Sequence, residues 1–363
     1  MGPSPTSVPA GQAHRLFGTR SAYTGWTTAV SHPTHPAVRQ REDTGSSSPY
    51  TTTAASTALP SVSTTSVAAS TSSVSSSQTD GVAYHKFYRQ TQLAFSEVSD
   101  QTEYGSWYYL TANTSGLSHE SGADIDVRAR FINNGSLANT EDTNYRAIND
   151  SFPVFGFALD LGSVGNQSVS SLFAISLNQE YAIQFEGASG NVSLPSLWTS
   201  YFTNDADAIS WFYDDYATAS SLSTTFDNQI ASDSSAAGGN SYTTITSLAT
   251  RQAFGATQLV GTPNTTYLFL KEISSDGNIQ TVDVIFPFHP ILIHTNPTLL
   301  KLLLEPLFIN QEAGYWPFAF SIHDLGTHYP NATGHNDGNA EQQPLEECGN
   351  MRMYGIRYRW NRY

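Results

Sequence analysis

The chain has 363 residues, 16 Lys+Arg against 31 Asp+Glu, a formal net charge of -15, one Cys and 39% hydrophobic residues. The length leaves room for two or three domains. The charge excludes the basic face a nucleic-acid binder needs, no apolar run approaches the ~20 residues of a bilayer span, and one cysteine excludes a disulfide framework and Cys-based zinc sites.

The first thirty residues carry Pro and polar residues where a signal peptide would have its apolar stretch, so no signal peptide is expected in this chain. Residues 1–43 contain four Arg, no Lys and no period. Thr44 to Asp80 holds 22 Ser or Thr in 37 residues and no charge before Asp80. Such a stretch buries too little apolar surface to fold, so residues 1–80 are expected to be disordered. It reads either as an O-glycosylated stalk or as translated sequence foreign to the mature protein.

From Gly81 the pattern is that of an all-β unit, 81–193, of sandwich type. Ala83 to Val98, Tyr104 to Leu110, Asp126 to Ile132 and Pro153 to Leu161 are rich in aromatic and β-branched residues, and Gly, Asn, Ser and Asp clusters separate them. Phe173 to Phe185 predicts one or two further strands. His119-Glu120 reads as a surface turn, Arg128 and Arg130 as alternate residues of a strand facing solvent or a carboxylate, and Arg146 as an ion-pair partner of Asp142 or Asp150.

Near Leu194 the period becomes helical. Asn204 is a candidate N-cap, with Ala208, Trp211, Phe212 and Tyr216 on one apolar face and Leu222, Phe226 and Ile230 on a second. Gly238-Gly239 should stop that run. Tyr242 to Thr257 predicts a helix with Ile245, Leu248, Ala249 and Phe254 inward. Tyr267–Ile273 and Ile279–Phe286 flank Asp276-Gly277-Asn278, which predicts a hairpin. Asn296-Pro297 then starts a helix whose buried stripe is Leu299, Leu300, Leu303, Leu304 and Leu307, and Gly314 ends it.

The chemistry concentrates in His323 to Glu347, which reads HDLGTHYPNATGHNDGNAEQQPLEE. Gly326, Pro330, Gly334 and Gly338 predict a loop rather than a helix, and loops on a rigid scaffold carry function. Paired carboxylates suit hydrolysis, one protonating a leaving group while the other activates water. Asp324, Asp337, Glu346 and Glu347 are the catalytic candidates. His323, His335 and Asn336 are candidates for holding substrate, with Tyr315, Trp316, Phe318 and Phe320 as an aromatic wall. A metal site from His323, His328, His335 and Asp337 ranks below this reading, because no fixed ligand spacing such as HExxH is present; no metal or other cofactor is expected. Cys348 beside Gly349 reads as packing rather than as a nucleophile. There is no GxSxG, and no lysine follows a serine by three residues.

Asn-x-Ser/Thr sequons occur at Asn113, Asn134, Asn149, Asn166, Asn191, Asn264 and Asn331, which supports a secreted glycoprotein. A glycan on Asn331 would crowd the acidic loop.

These stretches resemble the fungal secreted glutaminase A family: ANTEDTNYRAINDSFPVFGFALDLG from Ala138, SLPSLWTSYF from Ser193, RQAFGATQL from Arg251, FLKEISSDGNIQTVDVIFP from Phe269, and HDLGTHYPNATGHNDG with PLEECGNM ending at Met351. The likeness runs from about Val82 to Met351. It implies a β-sandwich followed by an α/α toroid of the six-hairpin glycosidase type, an extracellular location, and hydrolysis of L-glutamine to glutamate and ammonia. It assigns no catalytic residue. On this reading 194–351 is the start of the toroid. Residues 352–363, RMYGIRYRWNRY, hold four of the 16 cations and read as an aberrant basic tail. About four helices are visible where six hairpins need twelve, so an incomplete toroid with apolar faces in water is expected, and with it a poorly stable, inactive chain.

The functional expectation is therefore a glutaminase-like amidohydrolase. The alternatives are an inverting glycoside hydrolase on the same scaffold and a non-catalytic secreted or cell-surface binding protein. The implied partner is a small amide or a glycan, without nucleic acid or membrane span, and no oligomeric state follows from the sequence.

Overall fold

The computed structural model of the chain describes residues 27–30, 50–53, 81–98, 101–144, 146–147, 150–162, 169–272 and 277–360. It is a sheet-rich part followed by a helical part, as the change of period implied. Two strands come from the first eighty residues, β1 (Thr27–Val30) and β2 (Tyr50–Thr53). The second of these lies in the Ser/Thr-rich stretch, at its Tyr-Thr-Thr-Thr run; the rest of 1–80, on which the expectation of disorder falls, lies outside the described residues.

The strands β3 (Val82–Tyr88), β4 (Glu97–Val98), β5 (Gln101–Thr102), β6 (Ser106–Ala112), β7 (Leu117–Ala123), β8 (Pro153–Asp160) and β9 (Leu172–Asn178) follow. Two antiparallel sheets result, ordered β1-β9-β6-β3 and β2-β8-β7. Ala83, Tyr109 and Phe173 of the first meet Phe157 of the second in a common core, with the Tyr109 and Phe157 rings 5.3 Å apart. Side chains alternate along a strand, so Tyr108 and Leu110 point to the opposite face of the first sheet. There they pack with Val82 and Ala174 against Ile209. Burial on both faces explains the nearly continuous apolar sequence of β6.

Two expectations in this part are corrected. Asp126 to Ile132 is not a strand but lies in helix α1 (Asp124–Asn134). Its alternating D-I-D-V-R-A-R-F sequence also places Val127 and Phe131 at i, i+4, where both pack with Val154 and an Asp124–Arg128 pair bridges one turn. His119-Glu120 is no surface turn. Both lie in β7, and buried Glu120 accepts Arg130 Nε at 2.9 Å and the Ala138 N–H at 3.1 Å. The Arg146–Asp142 pair forms as expected, at 2.6 Å.

A second sheet region begins with β10 (Tyr181–Gly187) and β11 (Gly190–Pro195). Helix α2 (Asp205–Asp214) opens on Asn204, whose side chain accepts the Asp207 N–H as a cap. Helix α3 spans Tyr216–Gly255 with a break at Gly239, whose φ of 74° leaves the helical region. Phe254 and Ile230 are buried, but Ile245 is 64% and Leu248 54% exposed. The expectation that both face inward is wrong, because more than half of each side chain is open to solvent.

The expected hairpin is also displaced. The antiparallel pair is β12 (Thr257–Thr262) with β13 (Thr265–Leu270). Beyond β13 the described residues keep a short antiparallel continuation across the expected turn, a Lys271–Ile279 bridge with the Glu272 N–H donating to Asn278 O at 2.8 Å and the Gln280 N–H to Leu270 O at 2.9 Å, and Val282–Thr295 is helix α4. Val282, Ile285, Phe288 and Leu292 bury one helical face, a period that outweighs the β-branched composition read as a strand. Helix α5 (Pro297–Glu312) starts on the Asn296 cap, and all five leucines of its stripe are buried. Gln280, fully buried, ties these elements: its Oε1 accepts the Leu270 N–H at 2.5 Å and its Nε2 donates to Leu303 O at 2.6 Å. After the loop come β14 (Asn331–Ala332) and helix α6 (Pro344–Trp360).

Candidate functional site

The loop that was singled out by composition is built into the core. Ile322, His323, Asp324 and Leu325 are all buried. The Val282 N–H donates to His323 O and the Leu325 N–H to Ile279 O, both at 2.8 Å, so the loop is laced to the residues that open α4. Asn331 and Ala332 pair in parallel with Gln184 and Phe185 of β10. Gly326 is required at the crossing: at its φ of 155°, a Cβ would lie 2.2 Å from Asn331 O.

Asp324 organises the centre. Its Oδ2 lies 2.9 Å from His323 Nδ1 and its Oδ1 2.7 Å from His335 Nε2. The Gly326 N–H donates to Oδ1 at 2.7 Å. Burial alone would raise its pKa, but the two histidines and that N–H hold it near about 2. With Nδ1 committed to Asp324, His323 presents Nε2 to other carboxylates. Asp283 Oδ1 and Glu341 Oε2 each lie 3.7 Å from it. Burial opposes a charge on His323, yet Asp324, Asp283 and Glu341 push it up to about 9.

Glu347 closes the group. Asp283, His323 and Glu347 each place a donor atom within 4.8 Å of the others'. Glu347 is fully buried, and neither of its oxygens, nor Asp283 Oδ1, accepts a hydrogen bond of good geometry among the described residues. Burial and the Asp283 charge push Glu347 up to about 7.

The structure thus brings together His323, Asp324, His335 and Glu347 and separates the rest. Asp337 is exposed and accepts the Asn339 N–H at 2.9 Å in a local turn. Glu346 is exposed in the first turn of α6, so the loop ends earlier than its composition suggested, at a proline that suits a helix start. Asn336 donates to Glu186 Oε1 at 3.0 Å. Trp316 is buried, with its indole N–H spent on Phe320 O at 2.8 Å. Phe318 stacks on Phe320 at 5.3 Å, and Tyr315 is half-buried. Cys348 Sγ accepts the Ser321 N–H at 3.3 Å, a packing role. The ligand set His323, His328, His335 and Asp337 does not converge, since His328 faces Glu97 at 3.4 Å.

Sequence reasoning missed Asp283, Glu186 and Asn310. Asp283 was hidden by reading its segment as a strand; in a helix it falls in the first turn, where carboxylates are favoured. Asn310 is fully buried, its Nδ2 donating to Glu186 O at 3.0 Å.

Four sequons, Asn113, Asn134, Asn191 and Asn264, are exposed. Asn331 is half-buried and its Nδ2 donates to Phe95 O and His328 O. Asn149 and Asn166 lie outside the described residues.

Residues 55–233 match the model of a domain of unknown function (DUF5127), and residues 239–359 match the glutaminase A six helical-hairpin domain. A protein named glutaminase A from Aspergillus oryzae is 55% identical over 280 residues, 77% of this chain and 40% of its own length. The chain belongs to the glutaminase A family. A probable glutaminase from Arthroderma benhamiae is 38% identical over 276 residues, 74% of this chain and 32% of its own. The chain therefore spans well under half the length of these curated relatives. All of the buried cluster lies in the part matched by the glutaminase A domain. That match extends to residue 359, past Met351 where the motif likeness ended, and takes in most of the basic segment. Among the described residues no helix is long and apolar enough to cross a membrane.

Proposed function

We propose that the buried cluster around His323 belongs to the hydrolytic centre of a glutaminase, cleaving the side-chain amide of L-glutamine to L-glutamate and ammonia. The observation that carries this reading is the cluster's position within the glutaminase A match, together with 55% identity to a protein of that name. A water placed among His323 Nε2, Asp283 and Glu347 has a carboxylate acceptor for its proton, and the same group can return that proton to the departing nitrogen. Asp324 and His335 act as positioning residues, because they orient His323 and do not face that water.

We place the protein outside the cell as a glycoprotein, on the sequons and the family likeness. Ile245, Leu248 and Leu345, the last 91% exposed, leave apolar surface in water. That supports little or no turnover by this chain on its own.

Ammonia release tests both parts. In the Aspergillus oryzae relative, asparagine at the position that aligns with Asp324 should abolish ammonia release from glutamine, and unchanged turnover would refute the assignment. Brisk release by residues 81–363 alone would refute the inactivity. The Asp283–Glu347 pair does not suit the inverting-glycosidase reading, since its oxygens lie within 4.8 Å, below the ~6.5–9.5 Å of inverting enzymes. Reducing sugar from a glycan panel, with no ammonia, would restore it.

A further inference from the structure

We propose that Asp283, His323 and Glu347 form a binding site for one divalent transition-metal ion of the Zn2+ class. The three offer one imidazole nitrogen and two carboxylate oxygens, all within 4.8 Å of one another. Around a tetrahedral Zn2+, with ligands at ~2.0–2.2 Å, neighbouring ligand atoms lie ~3.3–3.6 Å apart. His323 Nε2 and Asp283 Oδ1, at 3.7 Å, are already close to that spacing.

Glu347 supplies the independent observation. It is fully buried, and neither of its oxygens makes a hydrogen bond of good geometry among the described residues, the Asn350 side chain standing only close enough to favour its charge. Buried carboxylates are ordinarily hydrogen-bonded, paired or metal-bound. Asp283 Oδ1 is in the same condition and belongs to the same cluster.

The surroundings of the imidazole fit as well. A metal-bound histidine typically commits its other ring nitrogen to a carboxylate, which fixes the tautomer and aims the ligating nitrogen. His323 Nδ1 does so with Asp324 Oδ2 at 2.9 Å, and Asp324 is itself held by the Gly326 N–H and His335. The ligands stand on three anchored positions: the first turn of α4, the first turn of α6, and a loop residue whose carbonyl accepts the Val282 N–H. Two carboxylates balance a dication. Three protein ligands leave a fourth position for water or for Glu341, whose Oε2 lies 3.7 Å from His323 Nε2. The imidazole nitrogen and the small ligand count favour Zn2+ over Ca2+ or Mg2+, which seek six or more oxygens. Binding releases to solvent any protons held on Nε2 and on the Glu347 carboxyl.

The site shares His323, Asp283 and Glu347 with the hydrolytic reading, and a bound ion would take the place given there to the water; the proposal stands on the geometry of the cluster and does not rest on that reading. The test is a calorimetric titration of chelator-treated full chain with ZnCl2, alongside Co2+ uptake followed by visible absorbance. One equivalent of Zn2+ should bind, and one Co2+ should give a d–d spectrum that an equivalent of Zn2+ abolishes. Glu347→Gln and Asp283→Asn, checked for folding by circular dichroism, should each weaken binding at least tenfold. Asp227→Asn on an exposed turn of α3 should leave it unchanged. Absence of one-to-one uptake by the unmodified chain overturns the proposal, as does uptake undiminished in both carboxylate variants. If neither variant folds, the Co2+ spectrum of the unmodified chain decides. None of these readouts uses turnover, so their failure leaves the amidohydrolase reading standing.

Discussion

The backbone N–H of Val282 donates to the carbonyl oxygen of His323 at 2.8 Å, and this bond between the start of a helix and a buried loop sets Asp283 beside the imidazole. Asp324 fixes the other side of the ring. The centre is thus assembled by backbone bonds first and by charge second.

Asp324→Ala should strip His323 and His335 of their common carboxylate. Removing one partner of a buried ionic network costs about 3–5 kcal/mol. Urea unfolding should show a loss in that range; a loss below about 1 kcal/mol would mean that water replaces the carboxylate at little cost.

Gly326→Ala forces a Cβ to within 2.2 Å of the Asn331 carbonyl. A loop shift that relieves the clash must break the Asn331–Gln184 pairing, at a cost of about 2 kcal/mol or more. Hydrogen exchange at the Gln184 amide, which donates to Pro330 O at 3.1 Å, should accelerate well beyond that of amides in the sandwich sheets.

His85 gives the sandwich an acid-side sensitivity. Burial lowers its pKa from 6.5 to about 4, against the support of the Gly156 carbonyl, and the charge of His119 adds to the depression. The unfolded chain therefore binds this proton first as pH falls. Stability contributed by neutral His85 is complete above pH 6.5 and is lost progressively down to about 4, amounting to about 2 kcal/mol at pH 5. The urea midpoint should fall between pH 7 and 5, and His85→Phe should flatten that fall.

Ile245→Gln with Leu248→Gln tests the bare face of α3. Both side chains are more than half exposed, so stability should change by less than about 0.5 kcal/mol. Self-association, followed by light scattering, should decrease. A loss of several kcal/mol would show that the face is covered.

Much of the fold is legible in the residues themselves. The Asn204 and Asn296 caps, the leucine stripe of α5 and the break at Gly239 are local signals, and each forms where its chemistry demands. Short apolar runs are less legible, because periods of 2 and 3.6 overlap over six or seven residues. Asp126–Ile132 and Ile279–Phe286 both turned on that ambiguity. The site divides in the same way. His323, Asp324, His335 and Glu347 stand out in one dense segment of sequence, whereas Asp283 carries no mark until its segment is known to be a helix.

The sequence alone determined the acidic character of residues 81–351, which hold 8 cations against 28 acids, the order of sheet before helix, and the family to which the chain belongs. Only the tertiary structure decided which of those acids meet. Asp283 and Glu347 lie far apart in sequence and converge on His323 because the Val282–His323 backbone bond holds the opening of α4 to the buried loop and α6 packs against α4. Asp337 and Glu346, equal to them in composition, remain in solvent for the same reason: burial is set by the packing around a side chain, and no local pattern encodes it.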